Sequence, residues 1–208
     1  MYDFPAPIAT NRYEDDVIAV LASMERRGIP NDPIALYGSS SIRLWHTAAE
    51  DLGALNLVNL GFGGGTNASG LHYFEKLLKP LKPRKIVLYF GENDISLDGL
   101  TGRSAFENFL KLRERITDDL PEAKVFFLSA KQSPAKWLYR DEVDEFNALA
   151  QSWCEEQPHS CYIDTTTSLL GENGRPLGRY YSGDHIHLNG SGYAVWARIL
   201  RAVPDLLG

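Results

Sequence analysis

Ile34-Ala35-Leu36-Tyr37-Gly38-Ser39-Ser40-Ser41 is an unbroken apolar run that stops abruptly at a glycine and three serines. A strand with one wet face alternates apolar and polar residues. A run without alternation suits a strand covered on both faces, as in a parallel sheet. Similar short runs occupy 57–60, 86–90, 125–128 and 162–163. Segments of helical period lie around and between them, marked by Val17, Leu21 and Met24, by Leu71, Phe74, Leu77 and Leu78, and by Phe106, Phe109, Leu110 and Ile116. Two more follow, marked by Val143, Phe146, Leu149 and Trp153 and by Tyr193, Trp196, Ile199 and Leu200. This alternation predicts an α/β fold in three layers, with a five-stranded parallel sheet between helices and right-handed crossovers.

The 208 residues are 44% hydrophobic and 23% charged, which suits one domain spanning residues 1–208 with a full core. A net charge of −6 argues against nucleic acid or an anionic membrane as a partner, since clustered Lys and Arg hold both. The one basic cluster, Lys79, Lys82, Arg84 and Lys85, is broken by Pro80 and Pro83 and reads as a solvated loop. Cys154 and Cys161 cannot build a disulfide framework and stand apart from any histidine cluster, so they read as free thiols. The start, Met1-Tyr2-Asp3-Phe4-Pro5, lacks the basic and apolar stretches of a signal peptide, and a cytoplasmic location is expected. No apolar run approaches the ~20 residues that span a bilayer.

Ligands of open parallel sheets bind outside the carboxyl ends of the strands. The chemistry-bearing motifs fall there. Gly38–Ser41 follows the first run, Gly61-Phe62-Gly63-Gly64-Gly65 the second and Gly91-Glu92-Asn93-Asp94 the third, while Asp184-His185-Ile186-His187 precedes the last helical segment, which Asn189 can cap. A serine hydroxyl needs an imidazole to take its proton and a carboxylate to orient that imidazole. Asp184 and His187, three residues apart, suit that pairing better than Asp184 and His185. Each motif also has a plainer reading: a helix cap for the serines, a tight turn for the glycines, a turn residue for Asn93, an anchor or cap for Asp94. A rival reading takes Gly63-Gly64-Gly65-Thr66-Asn67-Ala68 as a dinucleotide-binding loop, but Leu88 stands about 20 residues on, where that motif needs an acid for the ribose.

In order, Gly38-Ser39-Ser40, Asn59-Leu60-Gly61-Phe62-Gly63-Gly64, Gly91-Glu92-Asn93-Asp94 and Asp184-His185-Ile186-His187 resemble the sequence blocks of the SGNH hydrolase superfamily, the GDSL esterases and lipases. The likeness runs from residue 38 to 187. It implies a flavodoxin-like fold, Ser40 as nucleophile, His187 as base and Asp184 as its partner. It also implies an oxyanion hole of Gly64, Asn93 and the Ser40 backbone N–H, with neither cofactor nor metal. Ser39 and Gly65 stand where family members carry aspartate, at positions without a chemical role. The glycine pattern is most similar to compact acetylhydrolase-type members. The expected substrate is a small-molecule ester with a short acyl group, since so short a chain has little material for a lid. Trp45, Phe62, Trp137, Tyr139, Tyr180 and Tyr181 lie near the rim loops, as pocket lining or as packing.

Overall fold

The computed structural model describes residues 13–207. In chain order the elements are α1 (Glu14–Arg27), β1 (Ile34–Gly38), α2 (Ser40–Arg43), α3 (Ala48–Leu52), β2 (Leu57–Asn59), α4 (Asn67–Leu77), β3 (Lys85–Tyr89) and α5 (Glu92–Ser96). There follow α6 (Gly102–Asp119), β4 (Lys124–Leu128), α7 (Arg140–Glu156), β5 (Ser160–Ile163) and α8 (Gly190–Arg201). The strands form one parallel sheet in the order β2-β1-β3-β4-β5, with Ile34 level with both Leu57 and Lys85, and Lys85 level with Lys124. This is the flavodoxin-like order, and its direction reverses between β1 and β3, where such sheets open a crevice at their carboxyl ends.

The strands' unbroken apolarity has a simple cause, because both faces of the sheet are covered. Ala35, Tyr37, Ile86, Leu88, Val125 and Phe127 pack into one layer against α4, α6 and α7. Their neighbours Leu36, Val87, Tyr89, Phe126 and Leu128 pack into the other, with Ile42, Trp45, Tyr193 and Trp196. The five long helices fall where the periodicity puts them. The short helices α2, α3 and α5 have no periodic signature, since one turn is too short to carry one. Both cysteines are free, Cys154 buried and Cys161 partly so. The residues 1–5 lie outside the described residues.

Two close approaches set the rim. Gly61 passes so near the end of α2 that a Cβ there would lie 2.2 Å from the Arg43 nitrogen. The Asn59 side chain fastens the same junction, accepting from Gly61 N at 2.9 Å and donating to Ile42 O at 2.7 Å. Gly64 has φ 69°, a left-handed conformation that costs glycine little and most other residues more.

Candidate active site

Ser40 begins α2 directly after β1, with Ser39 as the extended cap residue. The three serines part company here: Ser39 and Ser41 are buried, whereas the Ser40 Oγ lies 2.8 Å from His187 Nε2. His187 Nδ1 in turn lies 2.5 Å from Asp184 Oδ2. A carboxylate only accepts, so Nδ1 carries the proton and Nε2 keeps its lone pair for the Ser40 hydroxyl. The other Asp184 oxygen accepts from the Ile186 and His187 backbone at 2.9 and 3.0 Å. Partial burial alone would raise the Asp184 carboxyl, but these N–H groups and His187 outweigh it and hold the group well below the usual carboxylate range. His185 sits in a left-handed turn, φ 57°, and its carbonyl accepts from Ala135 N.

The loop holding Asp184 and His187 is braced from both sides. Ser182 N donates to His187 O at 2.8 Å, and Tyr181 bridges Leu188. Asn189 caps α8 by accepting from Ser191 N and Gly192 N, while its amide donates to the Arg179 and Tyr181 carbonyls.

Ser40, Gly64, Asn93 and His187 line one cleft of about 250 Å³, together with Arg43, Gly63, Glu92, Leu97, Lys136 and Ile186. Among the described residues, the backbone N–H groups of Ser40 and Gly64 have no protein partner. The buried Asn93 donates one Nδ2–H to Gly65 O at 3.1 Å and accepts from Lys136 Nζ at 3.1 Å. None of the six aromatic residues named above lines this cleft. Trp45, Phe62 and Tyr181 are core packing, and Trp137 lies under the guanidinium groups of Arg140 and Arg175.

Asp94 is both anchor and cap. Buried beneath the rim, it accepts from Asn67 N at 3.1 Å and Gly91 N at 3.2 Å, joining the second and third loops. Burial pushes its carboxyl up to about 7, against the pull of the Asn67 hydrogen bonds. Residues the motifs did not mark also build the site. Asp16 of α1 accepts from Gly63 N at 2.6 Å and pairs with Arg43 Nε at 3.3 Å. Lys131 Nζ reaches Glu92 Oε2 at 2.6 Å, and Lys136 Nζ reaches Glu92 Oε1 at 3.4 Å. Burial disfavours the Glu92 charge, but the two ammonium groups override it and lower its pKa. The signal for Lys131 lay in the rim rule itself, since Ser129-Ala130-Lys131-Gln132-Ser133 follows the fourth apolar run as the motifs follow the first three.

The glycine loop does not offer the anion cradle that a dinucleotide needs. The Gly63 N–H already meets the Asp16 carboxylate and the Asn67 N–H meets the Asp94 carboxyl group, so phosphate oxygens would displace acceptors the protein already supplies. Among the described residues no group of three His, Cys, Asp or Glu is placed to hold a metal ion, and no helix is long and apolar enough to cross a membrane.

A parallel sheet of this order with a Ser–His–Asp chain at its switch point defines a class, the ester-hydrolysing SGNH hydrolases. The family model of the GDSL-like lipases and acylhydrolases matches residues 30–195, and the chain belongs to that family. Comparison with curated proteins gave no match. Solved structures share the fold. A protein from Streptococcus pneumonia aligns at TM-score 0.80 with 18% identity, over 92% of this chain and 94% of its own. A GDSL-like lipase from Bacteroides thetaiotaomicron aligns at 0.68 with 19% identity, over 93% and 95%. A mutant of an acetyl-xylooligosaccharide esterase from Geobacillus Stearmophilus aligns at 0.65 with 15% identity, over 81% and 92%.

Proposed function

We propose that the protein hydrolyses short-acyl carboxylic esters of a carbohydrate, lipid or other small molecule through an acyl-enzyme on Ser40. The observation that carries this reading is the unbroken chain from Ser40 Oγ to His187 Nε2 at 2.8 Å and from His187 Nδ1 to Asp184 Oδ2 at 2.5 Å. As Ser40 Oγ attacks the ester carbonyl, His187 Nε2 takes its proton, and the ionised Asp184 stabilises the imidazolium that forms. The carbonyl oxygen, now negative, is met by the Ser40 and Gly64 N–H groups and by Asn93 Nδ2. His187 then protonates the departing alcohol, and a water activated by the same imidazole releases the acid. No added cofactor enters these steps.

A cleft of about 250 Å³ suits a small acyl group. An acetyl ester also matches the activity named for the Geobacillus Stearmophilus neighbour. The test is a p-nitrophenyl ester series with a serine-directed fluorophosphonate. The expected result is stoichiometric labelling at Ser40 and kcat/KM highest for acetate and propionate, falling by octanoate. Labelling elsewhere, or none, would remove the acyl-enzyme. A preference for octanoate would remove the short-acyl class and leave the chemistry standing.

A further inference from the structure

Asn93 and Lys136 meet in an arrangement that the serine–histidine–aspartate chain does not explain. An amide has two ends of similar shape and opposite polarity, and only its NH2 end can serve a developing oxyanion. Here both ends are specified. Gly65 O accepts one Nδ2–H at 3.1 Å, and the Lys136 ammonium donates to Oδ1 at 3.1 Å, which a flipped amide could not accept. The second Nδ2–H is left for the cleft. Lys136 is itself held. It lies in the 3₁₀ turn Pro134–Tyr139, its side chain is 15% exposed, and its Nζ also meets Glu92 Oε1 at 3.4 Å. Glu92 is already matched by buried Lys131 and by the Tyr89 hydroxyl at 3.0 Å, so Lys136 leaves the cluster of one carboxylate and two ammonium groups with a net positive charge at the cleft wall. The same turn reaches the other half of the site, where Ala135 N donates to His185 O at 3.1 Å.

We infer that Lys136 is the positioning residue of the oxyanion site: it holds the Asn93 amide by its oxygen and polarises it, so that the free Nδ2–H faces the ester oxygen as charge develops there. The inference rests on the proposed role of Asn93. A charge placed on the amide oxygen strengthens the donor at the other end, and the gain is realised only in the transition state. It therefore belongs in kcat and not in KM.

The experiment is a double-mutant cycle on the intact protein with p-nitrophenyl acetate. Lys136→Met should lower kcat by about 10-fold to 100-fold with KM within about two-fold, Lys136→Arg should restore most of the loss, and Lys136→Met added to Asn93→Ala should cost little more than Asn93→Ala alone. Full additivity of the two losses would overturn the inference, as would normal kcat in Lys136→Met. A loss confined to KM would make Lys136 a substrate-binding group and overturn it equally. Lys131 keeps Glu92 paired in the Met variant, so folding is expected to survive. If it does not, Lys136→Gln serves: it retains a donor without charge and should fall between Arg and Met, and activity equal to the parent protein would overturn the polarising role. Failure of the underlying reading looks different, because Asn93→Ala would then keep full kcat whatever stands at 136.

Discussion

Three adjacent serines invite a test that depends on backbone direction alone. Ser39 is extended, Ser40 opens the helix and Ser41 follows one residue later, so the three side chains leave the rim in different directions, and only Ser40 reaches His187. Ser40→Ala should lower kcat by ~10³-fold or more and abolish fluorophosphonate labelling, while Ser39→Ala and Ser41→Ala keep both. A dead Ser41→Ala with an active Ser40→Ala would shift the nucleophile by one. The pairing of Asp184 with His187 was legible in the sequence because the two sit three apart in one turn, whereas the choice of Ser40 among three serines came from the family resemblance. Lys136 and Asp16 were not legible at all. A lysine on a connecting turn and an aspartate in a first helical turn look like ordinary solvated residues until the fold brings them to Asn93 Oδ1 and Gly63 N.

At the scale of elements, the loops after β1, β2 and β3 are fixed to one another by polar groups, and Asp94, which joins the second loop to the third, is fully buried. With its carboxyl raised to about 7, Asp94 keeps a proton in the folded protein over a pH range in which the unfolded chain has lost it. It therefore adds stability that is complete below about pH 4 and is lost as pH rises through about 7, at most on the order of 4 kcal/mol. Carboxylates held low, such as Asp184 and Glu92, slope the other way, so the useful quantity is a difference. Asp94→Asn cannot ionise, and it also loses one acceptor for the Asn67 and Gly91 N–H groups. The variant should be less stable than the parent at pH 4.5 and should close part of that gap by pH 8, read from thermal melts. A gap independent of pH would mean that Asp94 does not titrate in this window. The long helices and all five strands were readable from period and apolarity, since those follow directly from which faces are covered. The one-turn helices were not, because α2 and α5 are set by where β1 and β3 end, with Asn59 holding the Ile42 carbonyl and Asp94 holding the Gly91 N–H, and neither tie is visible in a local window.

At the scale of the molecule, Ser40 and His187 come from distant parts of the chain, 147 residues apart, and their 2.8 Å contact depends on how α8 is seated. That seat is aromatic. Tyr193 stacks on Trp45 with ring centroids 5.3 Å apart, Trp196 packs edge-on against Trp45 and tilted against Tyr89, and the Tyr193 hydroxyl donates to Ser41 O at 2.9 Å. This last bond ties the helix behind the His187 loop directly to the helix that carries Ser40. Tyr193→Phe keeps the stack and leaves the Ser41 carbonyl buried without its donor, at a cost of ~1–3 kcal/mol. Because the lost tie governs the Ser40–His187 distance, kcat should also fall by about 10-fold in the folded protein. Leu206→Ala is the control: Leu206 is fully buried in the same layer but makes no tie to α2, so its loss should cost ~2–5 kcal/mol with kcat unchanged. Thermal melts and active-site-titrated kcat values for the two variants separate the effects. Equal kcat in both would mean that the loop is held by Asn189 and the Tyr181–Leu188 bridge alone, and that the aromatic seat supports the fold without aligning the site.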